Sequence, residues 1–320
     1  MDRVTPSLPQ ASAFAQLRPT PRAFLFQVVL LWSAIGIGAK EVARWQVLDG
    51  TALGEWAFGV SATIVALSLA ATGLLVGRLV DRRDPRPFLL LGFVVGAASN
   101  GVTAVALTAG AASWWLLVLT TAADGAALGI AGAALLKPQA AFVRPGAEGA
   151  MELLNIGRLG VGGVLGALLA GASPSAAATL AATAAMSLLS AAGAWAVMRS
   201  VEPRRPSPGV IAAVGAGLRE HLAVASRIRG YVVIDLLLAV VIPTQMVSIV
   251  LSDAGLTDLV SPAIAAGAAG IVIGRLALAT AGFRGDARRI VIGTTLVVVV
   301  AQVLSAIGIE GGWITEPWEI

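Results

Sequence analysis

Nine apolar stretches, each near the ~20 residues that an α-helix needs to cross a bilayer, alternate with connections that carry most of the charge. They fall at 24–42, 56–77, 88–109, 113–136, 150–171, 174–198, 230–251, 259–282 and 290–309. Hydrocarbon offers no water to a backbone N–H or C=O, so each run must satisfy its own hydrogen bonds. The polar alternation of a barrel strand is missing, which leaves helices. Composition agrees: 57% of the residues are hydrophobic and 12% charged, with a mean hydropathy of +0.86. The expectation is an all-α polytopic membrane protein. The polar, proline-bearing start is followed by a full-length span with no A-x-A-like site, so no removable signal peptide is expected.

Orientation follows from lysine and arginine, which accumulate on the cytoplasmic side. With the N-terminus inside, inner segments hold 18 of the 22 basic residues. The outer loops hold Lys40 and Arg44, and Arg158 and Arg275 lie within spans. Lys40 and Glu41 are accordingly placed at the outer interface, and an odd number of spans puts the C-terminus outside. Lysine occurs only at positions 40 and 137, and this arginine-heavy, Ala- and Gly-rich usage suggests a GC-rich bacterial genome and hence a bacterial plasma membrane. A net charge of +4 does not indicate nucleic acid, since the basic residues sit at span ends.

Several chemistries lack the residues they need. There is no cysteine for a thiolate site and a single histidine, His221. No phosphate-binding loop, H-E-x-x-H or nucleophile–base arrangement is found. No enzyme activity, catalytic residue, metal site or cofactor is expected.

The connection after the second span reads Gly77-Arg78-Leu79-Val80-Asp81-Arg82-Arg83-Asp84-Pro85-Arg86. Gly77 would allow close helix approach, Asp81 can receive a helix N-terminus or an arginine fork, and Arg82 and Arg86 would face the inner leaflet. The segment resembles the G-x-L-x-D-R-x-G-R signature of the major facilitator superfamily, with Asp84-Pro85 replacing its glycine. Arg82-Arg83-Asp84-Pro85-Arg86 recurs more weakly as Arg284-Gly285-Asp286-Ala287-Arg288, after the eighth span. Transporters built from parallel repeated halves show such echoes. The resemblance implies a six-helix bundle with its tail at 1–198, a cytoplasmic linker at 199–229, and three helices of a second bundle at 230–320. It also implies a conformational latch at Gly77, Asp81, Arg82 and Arg86. A full transporter of this type has twelve helices, so the chain is expected to be C-terminally incomplete or to depend on a partner supplying the rest.

The fifth span carries Gly157, Gly160, Gly162, Gly163 and Gly166. It is similar to the glycine-rich fifth helix of the family's drug exporters, without the proline that marks proton antiporters. Close helix packing explains such glycines equally well.

Charges at hydrocarbon depth cost ~2.5–3.5 kcal/mol each on insertion scales, and so mark candidate sites. Counting residues from the span ends puts Asp124 within about one helical turn of Arg158 in depth, and Asp235 within ~3 Å of Arg275, which makes two acid–base pairs possible. Each is either a structural ion pair or a coupling or substrate site. Asn155, Gln27 and Gln245 are further candidates for a cavity lining, and Pro243 for a kink. With two asparagines and one tyrosine, the chain is poorly equipped for sugars, which favours an amphipathic solute. The resulting expectation is a secondary transporter of a small solute by alternating access, export favoured and proton coupling left open. The alternative is a truncated relative acting as a non-transporting membrane binding or assembly subunit.

Overall fold

Residues 21–49, 55–141 and 148–198 are described by the structure, a computed structural model, together with residue 255 and short pieces between 260 and 269. Among the described residues there is no strand. The elements are α1 (Pro21–Asp49), α2 (Glu55–Arg82), α3 (Arg86–Thr108), α4 (Trp114–Ala141), α5 (Glu148–Gly171) and α6 (Ala176–Val197). Five of them contain stretches long and apolar enough to cross a membrane, and α5 adds a shorter apolar stretch, Gly157–Gly171.

Local chemistry sets the ends. Ser175 caps α6 by accepting from the Ala178 N–H at 3.1 Å, and Ser113 accepts from Leu116 N–H at 3.3 Å at the start of α4. The turn between α3 and α4 passes through Gly110 at φ +63°, a conformation that glycine adopts without a Cβ penalty. Inside the helices, threonine hydroxyls bond back to carbonyls one turn earlier, as Thr103 does to Ser99 O at 2.9 Å and Thr120 to Leu116 O at 2.9 Å. A hydroxyl satisfied in this way can sit in an apolar medium.

The helices pair by a repeated scheme. Gly162 of α5 stands against Ala34 and Ile35 of α1, and Gly166 against Ile35, Gly38 and Ala39, so α1 and α5 run parallel. Gly125 meets Val65 and Ser68, and Gly129 meets Leu69 and Thr72, so α2 and α4 are parallel too. The antiparallel contacts join α3 to α4 (Gly92 at Ala131, Gly96 at Ala127), α1 to α6 (Gly36 at Met186, Val29 at Gly193) and α3 to α6 (Gly101 at Ala184). Exchanging α1–α3 for α4–α6 maps the parallel pairs onto each other, α3–α4 onto α1–α6, and α3–α6 onto itself. Because α1 and α3 both run against α6, and α4 runs against α3, the second half is inverted with respect to the first.

Both parallel pairs are made possible by Gly-x-x-x-Gly. At Gly166 a Cβ would collide with the backbone of Ile35, Gly38 and Ala39; at Gly125 it would collide with the backbone of Val65. Such contacts let backbones touch and gain dispersion where no hydrophobic force acts between helices. Gly157 and Gly77, by contrast, have nothing within 4 Å of the equivalent point among the described residues. Close packing is therefore seen at Gly162 and Gly166, and the approach expected at Gly77 is not.

The distribution of polarity is the reverse of a soluble bundle's. Lys40, Asp124, Asn100, Ser99, Thr103, Thr121, Thr179 and Thr183 are buried, while Val105, Leu119, Leu67, Leu189 and Trp115 are well exposed. Exposed apolar area on this scale needs a covering. With the spanning helices, the arrangement is consistent with a multi-pass membrane protein.

Candidate functional site

The longest of the spans creates the site. α1 continues seven residues beyond the position 42 at which the sequence places its end, and its apolar stretch runs Phe24–Leu48. Lys40 and Arg44, one turn apart on one face, are therefore carried inside the bundle rather than released to an outer loop. Lys40 is 4% exposed, which corrects its placement at the interface.

Asp124 meets both cations. Lys40 Nζ donates to Asp124 Oδ2 at 2.7 Å, and Arg44 Nη2 donates to the same oxygen at 3.0 Å. On its far side Arg44 faces Glu41, with Nη1 to Oε1 at 3.8 Å. The four formal charges balance. Single charges would be expensive at this depth, and charge-assisted hydrogen bonds offset much of that cost.

The expected Asp124–Arg158 pair is not formed. The parallel register of α1 and α5 explains why: Gly162 meets Ala34, so Arg158, one turn earlier, lies beside Leu30. That is about ten residues from Lys40, or ~15 Å along the helix. Depth counted from the ends of the fourth and fifth spans put the two within about one helical turn, but α4 runs on to Ala141 and α5 starts at Glu148, which sets them further apart.

Arg158 and Asp124 nevertheless line one cavity of about 240 Å³. Helices α1, α3, α4, α5 and α6 enclose it, with Ser33, Asn100 and Ser187 as neutral polar positions and Leu30, Phe93 and Leu128 among the apolar ones. Arg158 Nη1 is buried there and has no hydrogen-bond partner among the described residues. A smaller cavity continues past Lys40 and Arg44, beside Ser99, Thr103 and Thr121.

Other sequence candidates are distributed as follows. Gln27 is half-buried on α1 and lines neither of these cavities. Asp81, Arg82 and Asn155 fall within α2 and α5, and their side chains lie outside the described residues. Asp235, Gln245, Arg275, Pro243 and the 284–288 echo also lie outside them. Arg86 does not face a leaflet freely. Its Nη2 donates to Trp195 O at 3.1 Å and its guanidinium stacks 4.3 Å from the Trp195 ring centroid, which ties the start of α3 to the end of α6. Asp84 Oδ1 accepts from Arg86 N at 3.0 Å and closes the turn around buried Pro85.

Part of the predicted eighth span docks on the bundle. Val260 packs with Trp45, Leu48, Ala57 and Leu117, Ala265 with Ala39, Val42, Ala167 and Ala170, and Ser261 Oγ donates to Ala167 O. This contact covers the end of α1 and α5 nearer Lys40 and Arg44. No family model matches the chain, and no curated protein matches it.

Proposed function

We propose that the chain is a secondary transporter of the major facilitator type, moving a small amphipathic solute through a bacterial plasma membrane by alternating access. The observation that carries the reading is the ion-lined cavity enclosed by a bundle whose outer surface is apolar. Ionised groups at hydrocarbon depth have a cost that function repays, and such groups mark solute and proton paths. The inverted pairing of α1–α3 with α4–α6 supports the same class, since transporters of this type nest inverted three-helix repeats within each half. The docking of Val260, Ser261 and Ala265 on the bundle supports a second bundle that meets the first. Export, an N-terminus in the cytoplasm and coupling to protons belong to this proposal through the arginine bias and the buried carboxylate.

Flux into proteoliposomes tests it. Purified protein is reconstituted, a pH gradient is imposed in either direction, and uptake of small radiolabelled amphipathic solutes is followed. Uptake of at least one solute should exceed that of protein-free vesicles tenfold or more and respond to the gradient. Uptake equal to protein-free vesicles for neutral, cationic and anionic solutes under both gradients would contradict transport and leave a membrane binding or assembly subunit.

A further inference from the structure

Charge in the 240 Å³ cavity is not evenly distributed. At one end Lys40 and Asp124 line it, and with Arg44 and Glu41 beyond them they form a neutral set, two cations against two carboxylates, held by contacts of 2.7, 3.0 and 3.8 Å. At the other end Arg158 has no counter-ion among the described residues, and its Nη1 is buried without a partner. A guanidinium stays charged under all ordinary conditions and presents donors in a planar fork. Left alone in a low-dielectric cavity it is costly; matched to a carboxylate it forms the strongest of the ordinary hydrogen-bonded pairs. Next to it the lining is apolar, with Leu30, Leu89, Phe93 and Leu159, and the volume is below the ~300–1,000 Å³ of drug-sized sites.

We infer that Arg158 is the anchor of a binding site for a small organic anion with an apolar body, of the aryl or branched alkyl carboxylate class. The carboxylate meets the Arg158 fork, the hydrocarbon part fills the space toward Phe93 and Leu89, and Asn100 and Ser187 are left for a second polar substituent. The Lys40–Asp124–Arg44 set does not compete for the anion, because its cations are already engaged by Asp124. The inference names the substrate class of the transport reading and rests on it for its biological meaning. Binding itself does not require transport.

Three solutes sharing one ring separate charge from shape: benzoate, benzamide and benzylamine. Equilibrium binding of each, radiolabelled, is measured on the purified chain in nanodiscs of zwitterionic phosphatidylcholine, with empty nanodiscs as the blank. Benzoate should bind saturably and at least tenfold more tightly than benzamide, with benzylamine weakest. Arg158→Gln should abolish the preference for benzoate over benzamide while the helical circular dichroism is retained. The wild-type series decides on its own if that variant does not fold. Benzylamine binding as tightly as benzoate, no saturable binding of any of the three, or an unchanged preference in a folded Arg158→Gln would each overturn the site. A phosphatidylglycerol headgroup offers the same anionic chemistry: if adding that lipid displaces benzoate completely, the site belongs to the headgroup and the solute assignment fails. Benzoate that binds but does not cross proteoliposomes keeps the anion site and removes transport. A transported cation with no benzoate binding does the reverse.

Discussion

Asp124→Asn is expected to destabilise the bundle by about 3–5 kcal/mol, the range found when one partner of a buried ion set is removed. The substitution leaves shape almost unchanged and removes the negative charge, so that Lys40 and Arg44 converge at best on a neutral amide oxygen. Both cations stay where they are, in a protein interior facing hydrocarbon, with Glu41 able to answer only Arg44. Lys40→Met should cost markedly less, because Arg44 at 3.0 Å still neutralises Asp124. Unfolding in mixed detergent micelles, followed by helical circular dichroism, measures both. The ordering matters more than either value: equal losses in the two variants would mean that the carboxylate is not the centre of the set.

A second large effect is expected from Gly166→Leu. The obstacle to its side chain is the α1 backbone at Ile35, Gly38 and Ala39, which cannot rotate away as a side-chain tip can. The penalty should reach or exceed the about 1–3 kcal/mol of ordinary overpacking. Gly125→Leu, blocked by the backbone of Val65 in the symmetry-related pair, should behave alike. Gly59→Leu is the control: no atom of the described residues stands within 4 Å of its added Cβ and it is exposed, so the loss of a helix-interior glycine should leave stability equal or slightly improved. The fraction of monodisperse protein after extraction, with the same unfolding measurement, distinguishes the two outcomes. A well-folded Gly166→Leu would refute the close α1–α5 contact.

The helices themselves were legible because hydrophobic length is a coarse and robust signal. All six described helices appear where apolar runs predict them, and no end moved by more than seven residues. The largest shift decided the site. Lys40, Glu41 and Arg44 read as the outer edge of the first span, since a stretch of about twenty residues begun at Phe24 is filled by Val42. The Val42, Ala43, Trp45, Val47 and Leu48 that continue the apolar pattern show that α1 goes on. The spacing of Lys40 and Arg44, one helical turn, was the available clue to a shared target. Which target they share depends on the register between α1 and α4, and no local pattern encodes that. Gly162 and Gly166 hinted at a close approach, but only the packed bundle identifies α1 as the partner. Asp124 was found from its depth alone, while its partners were misassigned.

Solvent access inside the bundle is the most direct test of an ion-lined cavity within an apolar shell. The chain has no cysteine, so single-cysteine variants need no prior engineering. Ser33→Cys and Ser187→Cys place a thiol in the cavity; Val105→Cys and Leu189→Cys place one on the outer surface, where the native residues are 67% and 61% exposed. A membrane-impermeant maleimide, added to one face of proteoliposomes at a time, reacts only where water can support the thiolate. Ser33→Cys and Ser187→Cys should be modified from one face, and Val105→Cys and Leu189→Cys should stay unmodified despite their greater exposure. Rapid modification of Val105→Cys and Leu189→Cys, with Ser33→Cys and Ser187→Cys inert from both faces, would place water outside the bundle and none within it, and would contradict a transport cavity there.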